Sequence, residues 1–566
     1  MKVARFQLDS VKFQLQHIAG IGELQQTDTF GHVDDDTINL ILEQAARFAD
    51  TTLAPLAATG DVHGCTLDQG RVHLPPGSKE AYREWCELGF PLLGIPLEHD
   101  GMGFPRTVQS AVQEVLDGAN LAFGMLGINL RCAALALIGS GSEAQCAQWL
   151  PGLASGEIAS TIVISEPQAG SDVGRILTTA SPDDAGHWML NGTKIWISYG
   201  DHDATNQILH LVLARVPNGE TGTRGLGLFI VPRLLDETST TANGIGIQRL
   251  EHKMGLHASP TCVLEMQQSK GWLVGEAGKG LQALFVMMNA MRQAVSVQGA
   301  AIASVATLHA IQYARERPQG GHPLKPAVMI TAHADVRRML LEMTAASELA
   351  RALSLRTARY LDLAESQIGD ASEQAQRLAE LLLPVAKTCC SELAFQVASQ
   401  GIQVLGGYGY TNDYPLERLA RDIRVTTVYE GTSGIQAMDF LKRKVIGDNL
   451  QTLNILLAQI NESCHTHTSA FSTLVPEMSG VLVETLHTLA SREQSDAGAY
   501  ATLQLTAMVV HGWNAHCLLG GITRNSEHEQ RLQAALQLYA AGYQRQCLYW
   551  ADRALAELPE YGFNGL

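Results

Sequence analysis

The feature that most constrains the fold is a change of hydrophobic period along the chain. Between about residues 160 and 270, short segments rich in Ile, Val, Leu and Trp alternate with turn residues, which is typical of β-strands. On either side, apolar residues recur every three or four positions, which predicts helices. The sequence therefore predicts a mainly α chain with a central β domain.

The predicted strands are short, and the turn signals between them are strong. One segment contains the pair Asn191–Gly192, which we interpret as a β-hairpin turn because both residues accept the left-handed backbone of such turns. The four predicted strands are "STIVIS", "HWMLNGTKIWIS", "ILHLVLARV" and "LGLFIVP".

The helical zones show the period clearly. After an acidic cap, one face of the first long helix carries Ile38, Ile41, Leu42, Ala45 and Phe48. The Gly- and Pro-rich stretch "LGFPLLGIPLEHDGMGFPRT" predicts a loop, and helical signals return in "SAVQEVLDGANLAFGML". A long helix is predicted from Ala334.

A chain of 566 residues is too long for one ordinary core, and its 46% hydrophobic content is enough to fill several. We expect five segments: an N-terminal extension 1–34, a helical N-terminal domain 35–160, a β middle domain 161–275, a helical domain 276–447 and an appended helical domain 448–566.

The charge balance argues against nucleic acid as a partner. The net charge is −17, and the segment after residue 450 contains no Lys and fewer Arg than acidic residues. Phosphate backbones are bound by clustered Lys and Arg. The sequence also has no secretory signal and no run of about 18 uninterrupted apolar residues, so we expect a cytoplasmic protein without a membrane span.

The cysteines predict neither disulfides nor a metal site. The ten cysteines lack CxxC spacing, and the adjacent Cys389 and Cys390 suit a helix interior. Cys464, His465 and His467 in "CHTH" could bind a metal, but no matching pair occurs at zinc-site spacing. We interpret this segment as a polar loop and expect no metal.

Common catalytic motifs are missing from the sequence. GxGxxG after a strand, GxxxxGK[ST], GxSxG and HExxH do not occur, so a Rossmann nicotinamide site and a P-loop are poorly supported. What stands out is "VYEGTSGIQ", which places Glu430 where a bend begins. Taken alone, this stretch is equally consistent with an ordinary helix start, where small polar residues and an acid are favoured.

Six separated stretches together resemble one family, the acyl-CoA dehydrogenases. They occur in the family's order, across matching helix, strand and helix zones, over roughly residues 35 to 445. The flanking segments are most similar to the methylthiopropanoyl-CoA dehydrogenase-like subgroup, which carries a similar C-terminal extension. The six stretches are "VISEPQAGSD", "KIWIS", "KMGLHASPT", "YARER", "QVLGGYGY" and "VYEGTSGIQ".

This resemblance implies a helical N-domain, a β-barrel middle domain, a four-helix C-domain and an extra helical domain. It also implies a use for Glu430 as the base that takes the α-proton of an acyl-CoA thioester, while FAD accepts the β-hydride. A carboxylate suits this role once water is excluded, because desolvation raises the proton affinity of carboxylates. In the family, the backbone N–H of the corresponding residue holds the thioester oxygen, and one such donor can be worth about 3 kcal/mol.

The resemblance also implies the FAD contacts. Trp196 would lie against the flavin ring, with Ser198 near N5 in place of the usual Thr, and Ser165 would bond the pyrimidine edge. Thr432 matches a further flavin contact, although Gly434 replaces the usual Gln two residues later.

On the nucleotide side, Arg317 matches the arginine that reaches the FAD pyrophosphate of a neighbouring subunit. Gln403 and the backbone through Gly407 match the adenosine-side contact. The resemblance therefore implies a homodimer or homotetramer.

At the expected substrate contacts the sequence is less similar to the family pattern. Ser171 matches the position near the CoA pantetheine, and Gln168 in the same motif replaces a Gly. Arg292 with Asn289 matches a pair near the CoA moiety, although Asn289 replaces the common Asp. Met291 occupies the position of the base in relatives whose base lies on this earlier helix, which favours Glu430 as the base here.

The resemblance leaves alternatives open. We expect a dehydrogenase that passes electrons to an electron-transfer flavoprotein, with an acyl-CoA oxidase that uses oxygen as the alternative. A DNA-binding flavoprotein of the alkylation-response type would need a basic tail. The acyl chain is either 3-methylthiopropanoyl or a short or medium straight chain.

Overall fold

The computed structural model describes residues 3–217, 219–235, 241–492, 495–523 and 525–557. The chain forms two compact units. The first contains the described residues of Met1–Leu8, His32–Ala294 and Arg421–Val425. The second contains Asp9–Gly31, Val295–Ala420 and the described residues of Thr426–Leu566.

The N-terminal part is helical, as predicted. In α3 the Asp34 carboxylate accepts a 2.8 Å hydrogen bond from the backbone N–H of Thr37 and so caps the helix. All five apolar residues predicted to share one face of α3 are buried. The helices are α1 (Val3–His17), α2 (Ile21–Leu24), α3 (Asp35–Phe48), α4 (Ala54–His63), α5 (Ser78–Glu87), α6 (Arg106–Ala119), α7 (Leu121–Ser140) and α8 (Glu143–Ser155).

The segment "SAVQEVLDGANLAFGML" contains the junction of two helices. Asn120 is extended at φ −154° between α6 and α7, and its side chain accepts a 3.1 Å hydrogen bond from the backbone N–H of Phe123. An asparagine cap therefore separates two apolar helices. The predicted loop before α6 is irregular apart from the short 3₁₀ turns Phe90–Gly94 and Leu97–His99.

The middle of the chain forms a closed sheet. β6 pairs with β7, β7 with β9, β9 with β5 and β5 with β4, and β4 returns to β6 at one residue pair, with β3 and β8 added outside this ring. The apolar face of the ring encloses a core that includes Leu190, Phe229 and Leu264. The strands are β1 (Thr66–Asp68), β2 (Arg71–His73), β3 (Ile158–Val163), β4 (Thr179–Pro182), β5 (Trp188–Ser198), β6 (Gln207–Arg215), β7 (Leu226–Pro232), β8 (Ile245–Leu250) and β9 (Thr261–Val274).

The four predicted strands are confirmed as β3, β5, β6 and β7, but the predicted hairpin at Asn191–Gly192 is wrong. This pair lies inside β5, where the register with β9 shifts between Leu190 and Gly192. The Asn191 side chain accepts a 2.9 Å hydrogen bond from the backbone N–H of Gln268. The pair therefore lies at a β-bulge. Its hydrogen-bond partner comes from the neighbouring strand β9, whereas in a hairpin turn the partner would be a residue close by in sequence.

The rest of the chain is helical, and α10 begins at Ala334 as predicted. A π-helical segment, Asp439–Ile446, continues α13. The predicted fold class, mainly α with a central β domain and extra C-terminal helices, is confirmed. The helices are α9 (Gly280–Glu316), α10 (Ala334–Ser366), α11 (Asp370–Leu405), α12 (Leu416–Ile423), α13 (Ser433–Met438), α14 (Gln451–Ser463), α15 (Phe471–Ala490), α16 (Ala499–Gly521) and α17 (Glu527–Leu555).

Three helical segments among the described residues are long and apolar enough to cross a membrane by length and composition alone. They are Leu121–Ser140, Gly280–Glu316 and Asp370–Tyr410. In the structure, 83%, 89% and 78% of their most apolar windows are buried inside the protein. Their apolar character is therefore used in the protein core, and the expectation that no segment spans a membrane stays a prediction.

Candidate active site

Glu430 lies in a left-handed turn between two helical segments. A 3₁₀ turn, Arg424–Thr427, ends three residues before it, and α13 begins three residues after it. The backbone φ of Glu430 is +54°, and Gly431 follows at +84°. This conformation costs a non-glycine residue roughly 1–2 kcal/mol, so the surrounding contacts must hold the turn.

Two fully buried side chains hold this turn through its carbonyl groups. Lys387 Nζ, from α11, donates a 2.7 Å hydrogen bond to the Gly431 carbonyl oxygen. Gln436 Nε2, from α13, donates a 2.8 Å hydrogen bond to the Glu430 carbonyl oxygen. Both donors lie on helices, so the turn that carries the carboxylate is fixed to rigid elements.

Thr432 caps α13, and Glu430 does not. The Thr432 hydroxyl oxygen accepts a 3.3 Å hydrogen bond from the backbone N–H of Ile435. Just before the turn, the Tyr429 hydroxyl donates to Gln298 Oε1 of α9. The helix-start interpretation therefore applies to Thr432, whose hydroxyl proton is still able to donate to another group, whereas Glu430 precedes the cap.

Trp196 lies at a second bulge of β5. The pairing with β9 is irregular between Lys194 and Ile197, and the Trp196 backbone has φ +63°. Its side chain is 58% exposed, which is unusual for a large aromatic residue in a strand. Ser198, two residues on, is half-buried, and its carbonyl oxygen accepts a 3.2 Å hydrogen bond from Asn129 Nδ2. The bulge thus presents a broad ring at the surface of the β domain.

Ser165 lies beside this bulge. The backbone N–H of Ile195 donates a 2.9 Å hydrogen bond to the Ser165 carbonyl oxygen, so the motifs "VISEPQAGSD" and "KIWIS" are in contact. Ser171, in contrast, lies in an exposed segment of the same motif. The fold therefore brings Ser165 close to Trp196 and leaves Ser171 at the surface of this unit.

A buried ion pair joins the two motifs that contain Ser165 and Trp196. Lys194 Nζ lies 2.9 Å from Glu166 Oε1, and their side chains are 0% and 3% exposed. Burial by itself would raise the pKa of Glu166, but the Lys194 charge and hydrogen bonds from Thr178 and Leu177 outweigh it and lower this pKa to about 2. Burial lowers the pKa of Lys194 to about 8, against the attraction of Glu166.

Gln168 adds to the same cluster. Its Nε2 donates a 2.6 Å hydrogen bond to Glu166 Oε2 and a 3.3 Å hydrogen bond to the Arg175 carbonyl oxygen. The residue that departs from the family pattern at this position is therefore a partner of the buried carboxylate.

The motif "KMGLHASPT" has its glycine where two backbones meet. A Cβ atom on Gly255 would lie 2.6 Å from the backbone carbon of Arg421, so only glycine fits. The next residue, Leu256, donates its backbone N–H to Asp422 Oδ1 at 2.6 Å. Lys253 Nζ donates to the Ser259 carbonyl oxygen at 2.9 Å. This motif therefore packs tightly against the chain segment that contains Arg421 and Asp422.

The motifs "YARER" and "QVLGGYGY" meet in the second unit. The Arg317 guanidinium lies 5.4 Å from the centre of the Tyr408 ring, a cation–π geometry. Gln403 and Gly407 are exposed on the same stretch, and a Cβ on Gly407 would have no atom within 4 Å. An arginine and an open glycine backbone side by side are suited to an anionic, flat ligand.

Asn289 and Arg292 lie three residues apart on α9, so their side chains share one face of the helix. Both are half-buried, and Met291 between them is buried. The predicted pair is therefore on one surface, and the residue at the alternative base position is an apolar core residue.

No metal site appears in the part of the chain that the structure describes. Among the described residues, no group of three or more His, Cys, Asp or Glu side chains is placed to hold a metal ion. In the "CHTH" segment, Cys464 is buried and the His467 ring stacks on His516 at 3.8 Å. None of the ten cysteines, all of which lie among the described residues, forms a disulfide. Cys389 and Cys390 are buried in α11, as predicted.

Sequence reasoning missed three residues that shape these surfaces: Glu166, Lys194 and Lys387. Glu166 and Lys194 stand inside two of the motifs, and Lys387 interrupts the apolar run "LLLPVAKTCC". A charged residue within a buried apolar segment was the available signal, since such residues are rarely buried without a partner.

Each of the two surfaces, taken by itself, suits one part of a flavin nucleotide. In the first unit, the exposed Trp196 ring, with Ser165 beside the bulge and Ser198 two residues further along β5, fits a planar heterocycle with polar edges. Arg317 beside the glycine-rich turn fits a diphosphate. The residues present therefore agree with a flavin nucleotide as the resident group.

Family models match most of the chain in three parts. Residues 35–157 match the acyl-CoA dehydrogenase N-terminal domain, residues 161–269 the middle domain and residues 278–445 the C-terminal domain. The chain belongs to the acyl-CoA dehydrogenase family and is an FAD-dependent oxidoreductase.

Two individual relatives are similar to this protein over most of its length. The chain is 43% identical over 450 residues to the 3-methylmercaptopropionyl-CoA dehydrogenase of Ruegeria pomeroyi, covering 78% of this chain and 76% of the relative. It is 36% identical over 469 residues to a broad-specificity linear acyl-CoA dehydrogenase of Mycobacterium tuberculosis, covering 80% of this chain and 76% of that relative.

A solved structure extends the likeness in fold across nearly the whole chain. The acyl-CoA dehydrogenase of Bacillus anthracis complexed with FAD superposes with a TM-score of 0.75 at 21% identity, covering 94% of this chain and 90% of that one. At this identity the match shows the fold alone.

Proposed function

We propose that this protein converts an acyl-CoA thioester to the trans-2-enoyl-CoA, with Glu430 as the catalytic base. The observation that carries the proposal is the turn at Glu430, which buried donors hold in a conformation that is costly for a carboxylate residue. Strain of this kind persists only where the surrounding structure over-determines it, as it does at catalytic positions.

In the proposed reaction, Glu430 takes the proton from the α-carbon. FAD, when bound, would supply the two-electron acceptor for the hydride that leaves the β-carbon as the C=C bond forms. Lys387 and Gln436 keep the Glu430 carboxylate in a fixed direction. The flavin is bound and oriented by Trp196, Ser165 and Ser198, and Thr432 adds a further contact to it. The CoA moiety lies along Ser171, Asn289 and Arg292.

For the substrate we propose 3-methylthiopropanoyl-CoA, which is the same thioester as 3-methylmercaptopropionyl-CoA. The similarity to the Ruegeria pomeroyi enzyme supports this choice. A short or medium straight-chain acyl-CoA is the second candidate, supported by the similarity to the Mycobacterium tuberculosis enzyme.

The test is a panel of acyl-CoAs mixed anaerobically with the purified yellow protein. 3-Methylthiopropanoyl-CoA should bleach the flavin absorbance faster at equal concentration than butyryl-, hexanoyl- or octanoyl-CoA. Faster bleaching by one of the straight chains would assign the second candidate, and no bleaching by any of them would contradict the proposed reaction.

As electron acceptor we propose an electron-transfer flavoprotein, as in the family. An oxidase would instead release hydrogen peroxide at the rate of substrate turnover in air. Peroxide at less than a few per cent of the turnover measured with the flavoprotein acceptor supports the dehydrogenase.

We further propose a cytoplasmic homodimer or homotetramer in which Arg317 reaches the FAD pyrophosphate of a neighbouring subunit. The acidic tail is the argument against a DNA-binding role. Light scattering checks the assembly, and the absence of a shift on duplex DNA at low salt checks the charge argument.

A further inference from the structure

Glu392 connects the turn that carries Glu430 to the appended helical domain. It lies on α11, and its Oε1 accepts a 2.7 Å hydrogen bond from the hydroxyl of Ser433, the first residue of α13. Its Oε2 accepts a 2.6 Å hydrogen bond from the Tyr500 hydroxyl and a 2.8 Å hydrogen bond from Gln504 Nε2. One oxygen of this carboxylate therefore binds the start of α13, directly after the Glu430 turn, and the other binds the first two turns of α16.

The α16 side of this contact is itself braced. Gln504 Nε2 lies 3.0 Å from the Tyr500 hydroxyl, so the two donors to Glu392 also contact each other. The Tyr500 ring packs edge-on to Trp550 of α17, with ring centres 5.9 Å apart. Burial raises the pKa of Tyr500, and its hydrogen bond to Glu392 adds to this shift, so the phenol keeps the proton that it donates.

A second contact joins the same two segments. Lys442, on the π-helical continuation of α13, forms an ion pair with Asp496 in the 3₁₀ turn that precedes α16. The helix that follows the Glu430 turn is thus attached to the appended domain at its first residue and again in its continuation. The two side chains of this ion pair are 40% and 59% exposed, so it contributes little stability by itself and the Glu392 contacts are the stronger connection.

We propose that Glu392 is a positioning residue for the dehydrogenation. Through the hydrogen bonds that Tyr500 and Gln504 donate to Glu392, the appended domain helps to hold Glu430 in the position that the reaction needs. The inference rests on the proposed function, since it takes Glu430 to be the base. Its physical content is that Tyr500 fixes the Glu392 carboxylate, Glu392 fixes Ser433, and Ser433 fixes the start of the helix that follows the turn. Small displacements of a catalytic group lower the rate of the chemical step more than they change substrate binding.

The experiment compares single-turnover flavin bleaching in Tyr500→Phe, Ser433→Ala and their double variant, at increasing acyl-CoA concentration and without oxygen. We expect each single variant to lower the limiting bleaching rate about fivefold to tenfold, the effect of one lost hydrogen bond in a rate constant. The half-saturating acyl-CoA concentration and the FAD content should stay at wild-type values. The double variant should be no more than about twofold slower than the slower single variant, because both changes act through Glu392.

Two further variants serve as controls. Ser433→Thr keeps the hydroxyl and should bleach at close to the wild-type rate. Tyr549→Phe removes a phenol from the same domain, where the Tyr549 ring contacts Trp550, and should leave the rate unchanged. A general loosening of the domain would instead lower FAD content or thermal stability without rescue by Ser433→Thr, and that result would overturn the inference.

Glu430→Gln separates this inference from the proposed function. If Glu430→Gln bleaches at the wild-type rate, Glu430 is not the base and the positioning inference falls with it. If Glu430→Gln is inactive while Tyr500→Phe and Ser433→Ala bleach normally, the base stands and the positioning role of Glu392 is wrong. Slow bleaching in all three, with normal acyl-CoA binding, supports both.

Discussion

Lys387 Nζ donates a 2.7 Å hydrogen bond to the carbonyl oxygen of Gly431, so a buried ammonium group holds the residue next to the proposed base. The same carbonyl belongs to a glycine at φ +84°, a conformation that L-residues rarely adopt. The turn that carries Glu430 is therefore held by a residue 44 positions before Gly431 in the chain, on α11.

Glu430→Gln should abolish flavin bleaching while leaving the fold intact. The amide keeps the shape of the side chain but cannot accept the α-proton, so the rate should fall about a hundredfold to ten-thousandfold, the range expected for loss of a general base. Stopped-flow absorbance under anaerobic conditions measures this rate, and calorimetry measures acyl-CoA binding, which should remain. Glu484→Gln, on an exposed position of α15, is the matched control. Bleaching at the wild-type rate in Glu430→Gln would refute the assignment.

Gly431→Ala should damage the turn itself. The added Cβ would lie 2.7 Å from Gln436 Nε2, the atom that holds the Glu430 carbonyl, and alanine disfavours φ +84°. We expect the free energy of unfolding to fall by about 1–2 kcal/mol and the bleaching rate to fall at least tenfold. Gly434→Ala, in the same segment, has open space around its Cβ beyond Thr432 and should cost less in both measurements. Equal effects of the two alanines would contradict the argument.

Trp196→Ala should weaken FAD binding without unfolding the protein. The ring is largely exposed, so its removal should change the thermal midpoint of the FAD-free protein by little. Loss of an aromatic contact with a flat ring should raise the FAD dissociation constant about tenfold or more. Fluorescence titration of FAD into the FAD-free protein measures it. Leu40→Ala, an exposed apolar residue on α3, is the control and should bind FAD normally. Unchanged FAD affinity in Trp196→Ala would show that the ring serves another purpose.

Lys194→Met should destabilise the β domain strongly, because it leaves the Glu166 charge buried beside apolar strands. Breaking such a pair from one side costs about 3–5 kcal/mol. Denaturant unfolding measures the loss, and Lys194→Met combined with Glu166→Gln should recover part of it, because the buried charge is removed and the amide oxygen still accepts one of the two backbone N–H groups, of Leu177 or Thr178, that donate to Glu166. A double variant less stable than Lys194→Met alone would contradict this account.

The same pair gives a pH dependence of known sign. The pKa of Glu166 is lowered in the folded protein to about 2, below its ordinary value. The unfolded chain therefore binds more protons between pH 4.5 and 2, and the stability contributed by Glu166 is present above this window and lost within it. The stability difference between wild type and Glu166→Gln, measured by denaturant midpoints, should shrink as pH falls from 5 to 3. A constant difference over that range would show that the carboxylate is not held in its charged form.

Much of the fold and part of the site were predictable from local signals. The apolar face of α3 and the four strands follow from period, and the ordered motifs indicated the family and its cofactor. The hairpin at Asn191–Gly192 was wrong because turn propensity is a local quantity, whereas β9 supplied a hydrogen-bond partner from more than seventy residues away. Lys387 was missed for the same reason, since its acceptor is distant in sequence.

The sequence by itself determined the order of helical and strand segments, the family motifs and the presence of one carboxylate at a bend, because periodicity and turn chemistry act over a few residues. Only the tertiary structure decided that Trp196 projects from a bulge, that Lys387 and Gln436 hold the Glu430 turn, and that Glu392 attaches this turn to the appended domain. The reason is physical: a strained backbone or a buried charge is stable only when groups from distant segments arrive to satisfy it.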